Sequence, residues 1–288
     1  MKSIAALPAF FLFLFCASAF AQTKTDLQKL IETELSFARA AEAKGTKSAF
    51  LEFLADDAVI FVPAETNGKL FWKDRAESPA LLAWSPVWAD VSSDGNLGYT
   101  TGGWESRPKG KADKPAVFGQ YASVWRREPG GNFKAVLDIG VSFDRAAPKT
   151  VWKAPRDAGA GEKTVKTQVD LGTLTDIYSK KLLSSGYFNH LADDAIVLRD
   201  KHQPFVGKKQ AFVALEKLDT ELPPDGFLNL TAKTSKNYGN LMYSWGVYQL
   251  TMKDNSVRKW NFAQVWKFRE GRWQIVLDVF TAIPTEKK

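Results

Sequence analysis

The stretch GQYASVWRREPGGNFKAVLDIG, residues 119–140, decides the fold, because NFAQVWKFREGRWQIVLDVF at residues 261–280 repeats its pattern. In each stretch, a Val-Trp segment followed by a basic residue leads through a glycine-containing turn to Val-Leu-Asp. That motif ends at Asp138 in the first copy and at Asp278 in the second. Between Val-Trp and Val-Leu-Asp, the two stretches differ in length only at the turn, where insertions and deletions disturb a fold least. The pattern predicts an antiparallel hairpin that occurs twice in the chain.

The repeat extends upstream of the hairpin, in the same order in both copies. Residues 54–58 match 191–195, residues 68–69 match 207–208, and residues 97–99 match 241–243. The matched segments run from residue 54 to 140 in the first copy and from 191 to 280 in the second. Copies that extend this far are whole domains rather than units of a solenoid. The sequence therefore predicts a first domain at 22–146, a linker rich in proline and glycine at 147–168, and a second domain at 169–288.

The first 21 residues have the three parts of a secretory signal peptide. Lys2 gives a charged start, residues 4–15 are apolar, and small residues precede Ala21. We therefore expect cleavage near Ala21 and a secreted or periplasmic mature protein. No apolar run reaches the about 20 residues that a membrane helix needs, so we expect no membrane insertion. The single cysteine, Cys16, lies within this segment, which excludes disulfides and thiolate chemistry from the mature chain.

Composition argues against several other classes of site. The net charge is +7, but lysines and arginines are interspersed with acidic residues and form no basic face, so we expect no nucleic-acid partner. The two histidines, His190 and His202, have neither the spacing nor the carboxylates of a metal site. The chain also lacks a glycine-rich phosphate loop. We therefore expect no metal and no cofactor.

The first copy reads as helices followed by strands. A capping box at Thr25 and Gln28 predicts the start of a helix that Gly45 ends. A second helix is predicted at 47–54, a buried strand at 58–62, and a third helix at 74–83. Four further strands are predicted at 86–91, 97–105, 117–127 and 132–143, and their short connections indicate an antiparallel meander. This order is typical of an α+β domain whose helices cover one face of a sheet.

This order of elements, together with LGYTTGGWE at 97–105 and the two opening stretches, resembles a known superfamily. It is similar to the SnoaL-like and ketosteroid-isomerase-like members of the nuclear transport factor 2-like superfamily, in particular to a secreted domain-of-unknown-function branch. The resemblance covers both copies. It implies two tandem cone-shaped α+β domains, each a bent antiparallel sheet wrapped around about three helices with a pocket at the wide end. Many relatives continue the Val-x-Asp strand with histidine and serine, where this chain has Ile139 and Val141.

Asp138 and Asp278 lie in mid-strand between apolar neighbours, where an acid is costly to bury unless it is paired. Strand alternation leaves two possibilities. If the face that carries Asp138 is concave, this residue points into the cone and can act as a general base with a raised pKa. If that face is convex, Asp138 is a structural acid that pairs with Arg126, and Asp278 pairs with Lys267.

Aromatic residues supply the other candidates for a site. Tyr99 and Tyr243 occur at matching positions, and each is either an oxyanion donor or an ordinary strand aromatic. Four tryptophans occur only in the first copy, in segments that line the pocket of the resembling fold, where they either bind a ligand or fill the core. The candidate ligand-binding residues are Trp72, Trp84, Trp88, Trp104, Tyr121, Tyr243 and Asp278.

We expect a protein that binds a small apolar or aromatic molecule in the first cone without turning it over. One alternative is an isomerase or lyase without a metal, in which Asp138 is the base and Tyr99 is the oxyanion donor. Another is an interaction module whose sheet faces contact a second protein. The two sheets are expected to pack face to face as an internal pseudo-dimer, and a homo-oligomer is compatible with this arrangement.

Overall fold

A computed structural model describes residues 8–147, 153–178, 185–219 and 227–284. Residues 1–7 of the predicted signal segment, 148–152 of the predicted linker, and 179–184, 220–226 and 285–288 of the predicted second domain lie outside the described residues. The first half contains α1 (Pro8–Lys44), α2 (Thr46–Phe53), β1 (Leu54–Phe61), β2 (Glu65–Asn67), α3 (Gly68–Asp74), β3 (Leu81–Val91), β4 (Leu97–Arg107), β5 (Val117–Arg127) and β6 (Phe133–Phe143).

The second half repeats this arrangement. It contains α4 (Leu171–Tyr178), α5 (Ser185–His190), β7 (Leu191–Arg199), β8 (Phe205–Val206), α6 (Lys208–Asp219), β9 (Phe227–Thr234), β10 (Leu241–Thr251), β11 (Val257–Arg269) and β12 (Arg272–Ile283). The sheets have the orders β2-β1-β6-β5-β4-β3 and β8-β7-β12-β11-β10-β9, and within the described residues no strand belongs to both. The predicted α+β fold in two halves is therefore confirmed. None of the described helices is long and apolar enough to span a membrane.

Each sheet is mixed rather than purely antiparallel, which corrects the expectation from sequence. The meanders β3–β6 and β9–β12 are antiparallel, as predicted. However, β1 pairs in parallel with β6, and β7 pairs in parallel with β12. Two parallel strands need a long connection between them. Here one helix and four other strands lie between the paired strands in each half. Such a contact is remote in sequence and leaves no local signal.

Two helix predictions were wrong. The third helix is α3, which begins after Asn67, whose side chain accepts a hydrogen bond from the Leu70 N–H at 2.9 Å. The predicted helix at 74–83 instead leads into β3, where Leu81 pairs with Arg107 of β4, because sheet pairing outweighs weak helix propensity. Thr25 lies inside α1 rather than at its start, so it does not cap the helix.

The inner face of the first sheet, which faces α1, carries Thr100, Ser123 and Asp138 in register, whereas its outer face carries Tyr99, Val124 and Leu137. The outer faces of the two sheets pack against each other. A void of about 10 Å³ between them is lined by Val124, Leu137 and Ile139 from the first sheet and by Tyr243, Val265 and Leu277 from the second. The apolar alternation in these strands therefore serves the contact between the halves as well as each core.

A buried ion pair joins the halves at this contact. Lys267 Nζ of β11 lies 2.7 Å from Asp90 Oδ2 of β3, and both side chains are 0% exposed. Lys267 also donates to the Asp157 carbonyl at 2.9 Å. Asp157 in turn accepts a hydrogen bond from Arg269 at 2.9 Å. The predicted pairing of Lys267 with Asp278 is therefore wrong, because these neighbouring strands present the two side chains on opposite faces.

The described part of the linker packs against both halves. The Lys153 N–H donates to the Val87 carbonyl at 2.8 Å, and the Lys153 carbonyl accepts from the Ala89 N–H at 3.3 Å, so this segment pairs with the edge strand β3. The Asn240 side chain of the second half donates to the Ala160 carbonyl at 2.8 Å. These contacts hold the connection between the two sheets in one position.

Removing Lys267 should destabilise the protein strongly. Lys267→Met is expected to lower the free energy of unfolding by about 3–5 kcal/mol, because Asp90 is left buried without a counter-charge. Replacing both residues, in K267M/D90L, should recover most of this loss. Lys233→Met is the control, since it removes an exposed pair with Glu65 between the same halves and should cost at most about 1 kcal/mol. Urea unfolding measures all three, and equal losses in both single variants would contradict the assignment.

Candidate functional site

The first cone contains a glutamate that the sequence analysis missed. Glu34 of α1 is 0% exposed and belongs to the buried stripe formed by Leu30, Phe37 and Ala41. Its Oε1 accepts a hydrogen bond from the Trp84 indole N–H at 2.6 Å, and its Oε2 accepts one from the Thr100 hydroxyl at 2.5 Å. Burial raises the pKa of Glu34 to about 7. The sequence pattern that could have revealed Glu34 is its position in α1, where an acidic residue has the spacing of the buried apolar residues.

Asp138 lies on the inner face of the same sheet. It accepts a hydrogen bond at Oδ2 from the Ser123 hydroxyl at 2.6 Å. Burial raises the pKa of Asp138 to about 6, and its charge contributes to the raised pKa of Glu34. The residue is half-buried and lies on the face of the sheet that is turned toward α1. Asp138 therefore lies on the inner face of the sheet, as in the first of the two possibilities left open by the sequence, and its role as a general base stays a prediction.

Tyr121 points toward the same two carboxyl groups. The residue is 7% exposed, and its hydroxyl makes no hydrogen bond within normal distance and angle limits. Burial raises the pKa of Tyr121 well above its ordinary value, and the charges of Glu34 and Asp138 raise it further. A buried hydroxyl without a partner is rare and costly. We call Glu34, Asp138 and Tyr121 the acid cluster.

Within the described part of the chain, neither carboxyl group of the acid cluster forms an ion pair. Their hydrogen-bond partners, Trp84, Thr100 and Ser123, are all uncharged. Two buried carboxyl groups without a counter-charge favour protonated forms, because ionisation in a region of low dielectric constant is unfavourable. The site is therefore poised to exchange protons between about pH 6 and pH 7.

In the second cone, the aspartate that corresponds to Asp138 is Asp278, and it has different partners. Asp278 Oδ2 accepts hydrogen bonds from the Arg199 guanidinium at 2.6 Å and from the Tyr187 hydroxyl at 2.8 Å. Its Oδ1 accepts one from the Gln264 side chain at 2.8 Å. This aspartate is 0% exposed, and its charge is neutralised within the protein. All three donors belong to the protein, so the second cone already supplies this carboxylate with a counter-charge and hydrogen bonds at both oxygens.

The duplicated register shows where the two cones diverge. Ile60 pairs with Asp138 as Val197 pairs with Asp278. In the alignment of 54–58 with 191–195, Val62 corresponds to Arg199 and Phe50 corresponds to Tyr187. The first copy therefore lacks the guanidinium and the hydroxyl that neutralise the aspartate of the second.

The structure does not bring together the predicted catalytic residues Asp138 and Tyr99. Tyr99 lies on the outer face of the sheet, where its hydroxyl accepts a hydrogen bond from the Trp88 indole at 3.2 Å. Strand register therefore places it on the opposite side of the sheet from Asp138. The predicted partner Arg126 instead binds Asp57 at 2.8 Å and Glu128 at 2.9 Å.

A groove of about 640 Å³ lies where the halves meet. Its walls come from β3–β5 of the first half, from the linker, and from the segment around β8 of the second half. Three of the predicted tryptophans, Trp84, Trp88 and Trp104, line it. Trp84 also donates to Glu34, so one side chain touches both the groove and the acid cluster.

The other predicted ligand-binding residues lie elsewhere. Trp72 packs against Phe50 with ring centroids 4.7 Å apart, in the core of the first half. Tyr243 lies between the two sheets and stacks on Trp245 at 5.2 Å. Tyr121 and Asp278 lie inside the first and second cones, respectively. The structure therefore does not unite the predicted set in one pocket.

Two glycines allow Trp104 to lie flat on the sheet. A Cβ atom at Gly119 would come within 2.3 Å of the Trp104 ring, and one at Gly140 would lie 3.4 Å from its indole nitrogen. Any larger residue at Gly119 would displace the indole, because real Cβ atoms do not approach so closely. These positions therefore fix the wall of the groove that Trp104 forms.

No protein-family model matches the chain, and no curated protein matches it. Solved structures do show similarity. A nuclear transport factor 2-like protein with a cystatin-like fold from Novosphingobium aromaticivorans is 14% identical, with 44% of this chain and 88% of that chain covered and a TM-score of 0.37. A proposed ketosteroid isomerase from Parabacteroides distasonis is 12% identical, with coverage of 42% and 94% and a TM-score of 0.34.

A third similar structure, a nuclear transport factor 2-like protein from Pseudomonas putida, is 14% identical, with 38% of this chain and 76% of that chain covered and a TM-score of 0.31. Each half has an α+β architecture in which helices lie on the inner face of a six-stranded sheet. The comparisons say nothing about activity.

The buried carboxyl groups should make stability fall as the pH rises. The folded pKa of Glu34, about 7, lies above its ordinary value of 4.5, so the folded state binds the extra proton. The contribution to stability is full below about pH 4.5 and is lost as the pH rises through about 7. Glu34→Gln should remove about 2–3 kcal/mol of this decline. Urea unfolding of both proteins at pH 5 and pH 8 measures it, and equal pH dependence would contradict the burial of a titrating Glu34.

Proposed function

We propose that the protein binds a small, largely apolar or aromatic molecule in the groove lined by Trp84, Trp88 and Trp104. The observation that carries this proposal is the presence of three indole rings in a single groove of about 640 Å³. Small-molecule sites usually have volumes of about 300–1,000 Å³ and apolar walls. Indole rings favour aromatic and apolar ligands, because they offer a large surface and a polar edge.

The second half contributes to the proposed site. Ile196, Pro204 and Val206 line the groove opposite the tryptophans. Val206 is 55% exposed, so it offers apolar surface to a ligand. Binding therefore depends on the docking of the halves as an internal pseudo-dimer. The proposed site lies at the boundary of the first cone, whereas the sequence pointed to its interior.

The alternatives expected from sequence have less support. The isomerase or lyase proposal required Asp138 and Tyr99 to converge on one substrate, but they lie on opposite faces of the sheet. The interaction-module proposal required open sheet faces, but the outer faces of the two sheets pack against each other. Ligand binding is the function that the remaining geometry supports best. The signal-like first 21 residues support a secreted or periplasmic site of action.

Truncation of a groove tryptophan should weaken ligand binding. With 2-naphthol as the probe, Trp104→Ala is expected to raise the dissociation constant about tenfold or more, because it removes a full wall of the groove. Trp260→Ala is the matched control, since Trp260 packs against Tyr248 in the second half, away from the groove. Fluorescence titration measures both variants. Equal weakening in the two variants, or no binding to the unmodified protein, would exclude the groove as the site.

Native mass spectrometry provides an independent check on the same proposal. Protein isolated from its own host should carry a small molecule, and this molecule should be lost from Trp104→Ala but retained by Trp260→Ala. Retention of the molecule by both variants would place its site outside the groove.

A further inference from the structure

None of the three residues of the acid cluster lines the proposed groove, so ligand binding in the groove does not explain why they lie together. Glu34 and Asp138 belong to α1 and β6, and they approach each other only because the helix packs on the inner face of the sheet. Neither forms an ion pair within the described residues. Placing two carboxyl groups together in a buried region is unfavourable unless a cation arrives or a proton is taken up.

Hydrogen-bonding capacity remains free in the cluster. Among the described residues, Asp138 receives a hydrogen bond only at Oδ2, from Ser123, and the residue retains accessible surface. The Tyr121 hydroxyl is buried close to Glu34 and Thr100, but it makes no hydrogen bond of normal distance and angle with either. A ligand that donates two hydrogen bonds would satisfy both groups. An ammonium group offers up to three donors together with the missing positive charge.

The second cone provides an internal reference for how this aspartate accepts a cation. There, the Arg199 guanidinium lies 2.6 Å from Asp278 and 4.6 Å from the centre of the Phe280 ring. The aspartate thus has a charge partner that is also held over an aromatic face. In the first cone the corresponding positions are Val62 and Gly140, so both the guanidinium and the ring are absent.

An aromatic ring nevertheless covers the position of Gly140. The Trp104 indole nitrogen would lie 3.4 Å from a Cβ atom at that glycine. Gly140 lies two residues beyond Asp138 on the same inner face, where it pairs with Tyr121. The first cone therefore has the aspartate and the aromatic surface of the second, but it lacks the built-in cation.

We propose that the interior of the first cone binds a small primary amine in its ammonium form. Its nitrogen donates to Asp138 and to the Tyr121 hydroxyl, Glu34 supplies the second negative charge, and the Trp104 ring packs against the body of the amine. The ammonium group takes the place that the Arg199 guanidinium has in the second cone. This site adjoins the groove and shares Trp104 with it, but its polar contacts are made by Asp138, Tyr121 and Glu34, none of which lines the groove.

The charged and titratable groups that face this site are few. Glu34 comes from α1, Tyr121 from β5 and Asp138 from β6. Among the described residues, the other polar neighbours are uncharged: Thr100, Ser123 and the indole N–H groups of Trp84 and Trp125. An ammonium ion binds the ionised carboxyl groups. Because burial raises the pKa of Asp138 to about 6 and that of Glu34 to about 7, amine affinity should increase from pH 5.5 to pH 7.5.

Calorimetric titration of the full chain with 2-phenylethylamine tests the proposal, with 2-phenylethanol as the neutral isostere. The amine should bind at pH 7.5 at least about tenfold more tightly than the alcohol, and about tenfold more tightly than it binds at pH 5.5. Equal affinity for the amine and the alcohol would overturn the proposal. So would an amine affinity that does not change with pH.

Three variants locate the site. Asp138→Asn should weaken amine binding about tenfold or more, whereas Asp57→Asn, the same charge change at an exposed carboxylate, should leave it unchanged. Tyr121→Phe removes a hydroxyl that makes no hydrogen bond of normal geometry, so it should change stability little and weaken amine binding about threefold. Binding of 2-naphthol should be unaffected in D138N, which separates this site from the groove. Unchanged amine binding in both D138N and Y121F would refute the assignment.

Discussion

The buried ion pair between Lys267 and Asp90 is the constraint on which the rest of the structure depends. It joins β11 of one half to β3 of the other, and a linker carboxylate, Asp157, supports it. Because a fully buried charge is unfavourable without its partner, any relative placement of the two sheets that separates Lys267 from Asp90 is disfavoured. That placement hides both outer faces and forms the groove from residues of both halves. The contact between the halves involves the outer faces only, so it does not constrain the residues inside the two cones.

The interiors have diverged within one shared frame. Trp125 donates to Thr100 at 2.9 Å in the first half, and Trp266 donates to Ser244 at 3.0 Å in the second, so the same indole-to-hydroxyl bond braces both sheets. The aspartate one strand further on is neutralised by Arg199 in the second half only. A duplicated domain can keep one copy as a closed structural unit while the other retains an open, acidic interior. The first half is therefore where ligand chemistry is expected.

Local pattern predicted the parts of the fold that depend on neighbours in sequence. The bounds of β5 agree with the prediction at 117–127, and α2 and β6 lie within a residue of theirs. The parallel pairing of β1 with β6 and the pair between Lys267 and Asp90 could not be predicted, because both depend on contacts between distant segments. The direction of Asp138 stayed open for the same reason, since alternation assigns faces but not which face is concave. Glu34 was detectable, because it interrupts an apolar helical stripe.

The central claim is that the first cone holds a pair of carboxyl groups without an internal cation. Its most direct test is an NMR titration that follows the side-chain carboxyl carbons of Glu34 and Asp138 against pH, with E34Q and D138N used to assign the signals. Glu34 should titrate near pH 7 and Asp138 near pH 6. Titration of both groups near pH 4, the ordinary range for exposed carboxyl groups, would contradict it.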